Sequence, residues 1–152
     1  YNFNIMIAVV QRVKSGKVFV DEKIFSQINH GYVILVGFCH DDNENVVLKM
    51  AEKIANLRIM ADKNGKMNLN LSQVGGEILL VSQFTLCADT SQRRPSFISA
   101  LNEVEAKKLY QFLIKKLQEK NIPVKTGSFG NYMTVEIIND GPVTIILNSK
   151  DF

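Results

Sequence analysis

Cysteine and histidine are nearly absent from this chain, with two of each in 152 residues, and there is no tryptophan. Cys39 and Cys87 are too few and too isolated for a disulfide scaffold. Cys39 closes the apolar run Tyr32 to Phe38 and reads as a small buried hydrophobe. A reducing, cytoplasmic setting is expected for such a chain. No clustered His/Cys spacing is present, so neither a metal nor another cofactor is expected. His30 and His40 both fall in turn-like stretches early in the chain, and neither is paired by motif with a hydroxyl or thiol. No apolar run approaches the roughly 20 residues that a membrane helix needs. Residues 1–5 lack the basic flank and apolar core of a signal peptide, and no membrane partner is expected. The excess of one charge sign is also small. A net charge of +3 and a pI near 8.9 are compatible with a nucleic-acid partner without pointing to one.

What is present is ordinary globular material. With 46% hydrophobic and 22% charged residues, the chain has enough apolar mass to close one core. A single domain over residues 6–152 is expected, with Tyr1 to Ile5 as an extension or expression remnant. Residues Ile5 to Val13 read as a central strand ending in a turn at Ser15-Gly16. Val18 to Val20 and Ile24 to Ile28 read as shorter strands, and Tyr32 to Phe38 as a strand buried on both faces. Val46, Val47, Met50, Ala51, Ile54 and Leu57 recur at helical spacing behind the N-cap candidates Asp41, Asp42 and Asn43. Asp62 to Lys66 is an Asn-Gly hairpin turn. A second helix starts at a capping-box-like Asn102/Glu105, buries Ala106, Leu109, Tyr110, Leu113 and Leu117, and ends by Asn121 and Pro123. Three strands finish the chain. Strands, helix, strands, helix, strands argues α+β rather than βαβ winding.

Two stretches stand out against this background. The expected strand Glu77 to Leu86 delivers Ser82-Gln83-Phe84-Thr85-Leu86 where it leaves the core, and polar groups on a rigid strand end are held in place by packing. The plain alternative is a strand exit whose Ser and Thr bond local backbone. Asn139-Asp140-Gly141-Pro142-Val143-Thr144 lies between two runs of strand composition and reads as a hairpin loop. Its Gly removes the Cβ that would crowd the Pro ring, which leaves two adjacent carbonyls open to a ligand. Arg93 and Arg94 follow the first stretch in a polar loop, either solvated or in reach of phosphates. Thr85 and Cys87 are candidate nucleophiles, but each lacks an adjacent base.

Together the two stretches resemble the paired signatures of D-aminoacyl-tRNA deacylases. The likeness continues through Ala8 to Val13, Asn56 to Ile59, Gly65 to Asn68, Val74 to Glu77, Arg94 to Phe97 and Thr126 to Gly130. It implies two packed, mainly antiparallel sheet layers with two main helices on one side, in a homodimer with sites at the subunit interface. It implies hydrolysis of D-aminoacyl-tRNA, and of glycyl-tRNA, as chiral proofreading of translation. Main-chain amides around Ser82, Gln83, Phe84 and Thr85 would line the site, with the terminal ribose hydroxyl assisting the water. Gly141 and Pro142, joined by a cis bond in the family, would enter the partner's site, capture the substrate amino group and exclude an L side chain. Arg12 would orient that loop, with Asn139 and Thr144 in the same signature and Phe129 and Met133 at the pocket wall. Cys87 and a slightly shorter loop at Thr90 to Arg94 depart from the family pattern. The other readings are a non-catalytic tRNA-binding module of the same fold and an unrelated esterase acting through Thr85 or Cys87.

Overall fold

The computed structural model describes residues 5–152. Residues 1–4, most of the stretch expected as an extension, lie outside the described residues. The long strand β1 (Ile7–Val20) is the spine. β8 (Thr134–Asn148) runs antiparallel to it over nearly its whole length. β3 (Gly31–Gly37) pairs with residues 7–13 of β1 and β2 (Lys23–Ile28) with residues 16–20. β6 (Glu77–Ser82) then adds to β3, and β7 (Val124–Thr126) to β6, both in parallel. All six strands form one mixed sheet, and β4 (Met60–Ala61) and β5 (Met67–Leu69) form a small hairpin beside it. Ser26 on β2 donates its hydroxyl to the Thr126 carbonyl on β7 at 2.6 Å, so the two ends of the sheet curl toward each other.

Alternation along the strands builds two cores. Tyr32, Ile34, Ile78 and Leu80 face α1 (Glu44–Asn56) and α2 (Glu103–Gln118), whereas Val33, Leu79 and Val81 face the inside of the curl with Val13 and Val18. Burial on both faces of Tyr32 to Phe38 agrees with its unbroken apolar sequence. Each helix starts where its cap was legible: Asn43 accepts from the Val46 amide and Asn102 from the Glu105 amide. The five apolar positions expected for α2 are all buried. Asp62 closes the β4–β5 turn by accepting from the Asn64 and Lys66 amides at 2.8 and 3.0 Å.

Four local expectations differ from the structure. Ser15-Gly16 is no turn, because β1 continues through it. Gly is there for space, since a Cβ at Gly16 would meet Val33 Cγ2 at 2.5 Å. The Asn139 to Thr144 stretch is likewise not a hairpin. Both of its flanks pair with β1, and the register shifts around Val13 absorb the extra residues as a bulge within β8. The strand from Glu77 stops at Ser82 and gives way to a 3-10 turn, Phe84–Cys87. Finally, Cys39 and Cys87 are not reduced thiols but a disulfide, with Cα atoms 5.7 Å apart. Parallel pairing of β3 with β6 brings two residues 48 apart in sequence to one end of the sheet, which no spacing rule reveals. On chain-entropy grounds, closing a loop of that size is worth about 4 kcal/mol.

Candidate active site

A cavity of about 530 Å³ opens at the C-terminal end of β6. One wall is Ser82, Gln83 and Phe84; a second is Ala100, Leu101 and the first turns of α2; a third runs from Phe129 to Met133. Five of the predicted site residues are thereby gathered from two distant segments. Gln83 is fixed by its amide, which donates to the Val36 carbonyl at 2.8 Å and continues the β3 pairing one step past the strand. Met133 is fixed by its sulfur, which accepts from the Ser128 amide at 3.2 Å. Phe129 packs on Tyr110, whose buried hydroxyl donates to the Leu80 carbonyl and whose pKa burial pushes well above its ordinary range. The back of the cavity is therefore rigid, while Phe84 at its lip is 56% exposed and packs edge-on against Phe97.

Beside Ser82 and Gln83, the turn that follows this wall offers backbone donors. In the 3-10 turn the Leu86 amide donates to the Gln83 carbonyl and the Ala88 amide to that of Thr85. The amides of Phe84 and Thr85 come too early to find a partner within the turn, and no side chain caps it. Such donors suit a developing oxyanion. The Thr85 hydroxyl accepts from Gln83 Nε2 at 2.5 Å. His30 instead pairs with the Val74 carbonyl at 2.9 Å and His40 with Asp41 at 3.2 Å, and neither lines the cavity. The sulfur of Cys87 is covalently occupied, which removes the thiol-nucleophile reading. Among the described residues, no group of three or more His, Cys, Asp or Glu is placed to hold a metal.

Thr85, in the 3-10 turn, does not line this cavity, and Arg12, Asn139, Gly141, Pro142 and Thr144 form a second cluster on β1 and β8 that does not line it either. The peptide bond between Gly141 and Pro142 is cis, and both residues are exposed at the bulge. Arg12 lies behind them: Nε donates to the Asp140 carbonyl at 3.0 Å and Nη1 to the Ile59 carbonyl at 2.8 Å. Asn139 spans the base of the bulge, accepting from the Val143 amide at 2.7 Å and donating to Thr144 Oγ1 at 3.1 Å. Tyr32, opposite Arg12, has its pKa pushed up to about 12 by burial, with the Arg12 charge opposing the shift. Arg93 and Arg94 are exposed in the loop after the 3-10 turn and do not line the cavity.

Sequence reasoning missed part of the wall. Ala106 was counted only as core, yet its small size on a face otherwise made of Leu and Tyr leaves room for the cavity. Glu103 and Tyr132, the latter 94% exposed, gave no signal, because solvent-facing residues at a rim follow no period.

A curled mixed sheet backed by two helices, with a pocket at one strand end, is the fold that comparison with known proteins makes specific. The family described as D-Tyr-tRNA(Tyr) deacylase matches residues 9–148, and this chain belongs to it. The D-aminoacyl-tRNA deacylase of Thermoanaerobacter sp. (strain X514) is 52% identical over 146 residues, covering 95% of this chain and 98% of that protein. The D-aminoacyl-tRNA deacylase of Clostridioides difficile (strain 630) is also 52% identical over 146 residues, with the same coverage. Among solved structures, the c-Myc DNA Unwinding Element Binding Protein superposes with a TM-score of 0.89 at 38% identity, covering 93% of this chain and 97% of that one. A chain described as a probable eukaryotic D-amino acid tRNA deacylase superposes with a TM-score of 0.80 at 16% identity, covering 95% and 99%, and so shares the fold.

Proposed function

We propose that this protein hydrolyses the ester bond of D-aminoacyl-tRNA, releasing tRNA and the D-amino acid. The observation that carries this reading is the cavity at the end of β6, lined by Ser82, Gln83, Phe84, Phe129 and Met133 in a chain of the deacylase family. A water adds to the ester carbonyl, the amides of Phe84 and Thr85 hold the oxyanion, and the ester C–O bond breaks as the ribose oxygen takes up a proton. No side-chain base is required of the protein. The vicinal ribose hydroxyl assists the water, so proton transfer belongs largely to the substrate. Arg93 and Arg94, exposed in the loop that follows the 3-10 turn, meet tRNA phosphates.

Chirality is read by exclusion. The Gly141-Pro142 carbonyls of one subunit enter the cavity of another, bind the substrate amino group and leave no space for an L side chain. Glycine passes the same filter, so glycyl-tRNA is a second substrate. Support for a homodimer comes from β8: its edge away from β1 pairs with no other described strand, and Ile138 and Ile146, flanking the bulge, are 45% and 69% exposed. The setting expected for such a reaction is the cytoplasm.

The reading is tested by incubating the protein with D-tyrosyl-tRNA and measuring free D-tyrosine. Multiple turnover is expected; tRNA binding without release would favour the non-catalytic module instead.

A further inference from the structure

The disulfide lies where two walls of the cavity meet, and the deacylase reading assigns it no role. Cys87 closes the 3-10 turn that carries Phe84 and Thr85. Cys39 stands two residues beyond β3 and is bridged in antiparallel fashion to Ala100, a residue of the opposite wall. The amide of Leu101 donates to the Phe38 carbonyl at 3.0 Å and that of His40 to the Ser99 carbonyl at 2.6 Å, so residues 99–101 are laced to residues 38–40. Cys39 is thus a post shared by both walls.

The post is tied to its surroundings by more backbone bonds than the turn is. Asp42 accepts from the Cys39 amide at 2.6 Å and returns its own amide to the Cys39 carbonyl at 3.0 Å. On the other side, the last backbone bond from the site segment to β3 is the one from Gln83 to Val36; the bonds that follow stay inside the turn. Past Gln83 the turn is held by the disulfide, by Leu86 lying against Gly37, where an added Cβ would meet Leu86 Cβ at 2.8 Å, and by side-chain contacts at its exposed start, Phe84 on Phe97 and Gln83 on Thr85.

We propose that the Cys39–Cys87 disulfide is a redox-sensitive clamp that positions the amide-bearing turn against the Ala100–Leu101 wall, and that a dithiol reductant releases it and slows the reaction. The exchange balances without any other reagent. A thiolate of the reductant attacks one sulfur, a mixed disulfide forms, and the reductant's second thiol closes its own ring. Two electrons and two protons leave Cys39 and Cys87 as thiols. Because Asp42 holds Cys39, the movement falls on the side of Cys87 and Phe84. Cys39 and Cys87 are positioning residues here, since neither lines the cavity.

This inference rests on the deacylase reading for its effect on rate, so the test includes a readout that does not. The protein is prepared oxidised and after treatment with dithiothreitol, with thiols counted by alkylation and mass spectrometry. Hydrogen exchange and D-tyrosyl-tRNA hydrolysis are measured on both forms, and on C39S/C87S. Reduction is expected to speed exchange at residues 84–88 by about ten-fold or more while β1 and β8 stay protected. It is expected to lower kcat by roughly ten-fold with a smaller change in KM. C39S/C87S should resemble the reduced form and ignore the reductant. Unchanged exchange and rate on reduction, two free thiols in air-oxidised protein, or an equal response to dithiothreitol in C39S/C87S would each overturn the clamp. Faster exchange at residues 84–88 in a protein inactive in both forms would uphold the clamp as a positioning device and remove the deacylase reading alone.

Discussion

Arg12 and Asp140, 128 residues apart in sequence, meet where the β1–β8 ladder is interrupted: the guanidinium Nε donates to the Asp140 carbonyl at 3.0 Å and lies 3.6 Å from its carboxylate. The Arg12 side chain is only 13% exposed and that of Asp140 43%, so the contacts are shielded on the Arg12 side. They tie the exposed Gly141-Pro142 bulge to β1 and, through the Ile59 carbonyl, to the segment after α1.

Removing that tie should be felt twice. Arg12→Ala is expected to cost about 1.5–3 kcal/mol of stability, the usual worth of a charged hydrogen-bonding group lost from a mostly buried position. Urea unfolding checks the first effect. The second is a fall in D-tyrosyl-tRNA hydrolysis at temperatures where the variant is fully folded, with Arg12→Lys intermediate because one ammonium cannot reproduce the two-point fork. Full activity in folded Arg12→Ala would separate the bulge from the reaction.

Gly141 has φ +133, a region that side chains rarely adopt, and an added Cβ would press Val143 Cγ2 at 2.8 Å and Arg12 Nη2 at 3.2 Å. Gly141→Ala should therefore displace the bulge rather than fit into it, at a cost above about 1 kcal/mol. The expected result is impaired D-substrate turnover or lost rejection of L-tyrosyl-tRNA. Mixing this variant with one blocked at the cavity, such as Ala106→Trp, should restore part of the activity if the bulge serves the other subunit's site. No recovery on mixing would place both functions in one chain.

Thr85→Ala is expected to keep deacylation within about ten-fold of the unmodified protein, since the backbone amide survives the substitution and no base stands by the hydroxyl. Loss of all turnover would instead mark Thr85 as a nucleophile.

Asp42 gives a pH signature unrelated to the site's chemistry. Burial raises its pKa from the ordinary 3.8 to about 6, against the opposing hydrogen bond from the Cys39 amide, and its Oδ1 has no protein partner. A carboxyl with a higher pKa folded than unfolded holds its proton more tightly in the fold. Stability therefore falls as pH rises from about 4 through about 6, by at most ~3 kcal/mol, and the loss is complete above that window. Asp42→Asn should remove this slope, gaining on the unmodified protein at pH 7.5 but not at pH 4.5. Denaturant midpoints at the two pH values decide it; parallel changes in both proteins would rule out Asp42 as the source.

Much of this molecule was legible before its structure. Asn43 and Asn102 announced the helices because capping is a local hydrogen bond, and the α2 stripe from Ala106 to Leu117 was legible because helical burial is periodic. The signatures at Ser82 and Asn139 were legible as residue patterns. What escaped was non-local. Gly16 looked like a turn because its reason, the side chain of Val33, is contributed by another strand. The run from Met133 to Leu147 looked like a hairpin because a bulge with Asn, Asp, Gly and Pro has the composition of a loop. Its continuity is enforced only by the pairing of both flanks with β1. The Cys39–Cys87 bond depends on the parallel register of β3 and β6, which neither cysteine's neighbours encode.

The most direct test is hydrolysis of matched D-tyrosyl-, L-tyrosyl- and glycyl-tRNA by the same preparation. Release from the D and glycyl forms with the L form untouched is the predicted result, because the exclusion proposed for the Gly141-Pro142 bulge would admit any substrate without an L side chain. Equal cleavage of D and L would contradict the exclusion mechanism, and cleavage of none would contradict the enzyme.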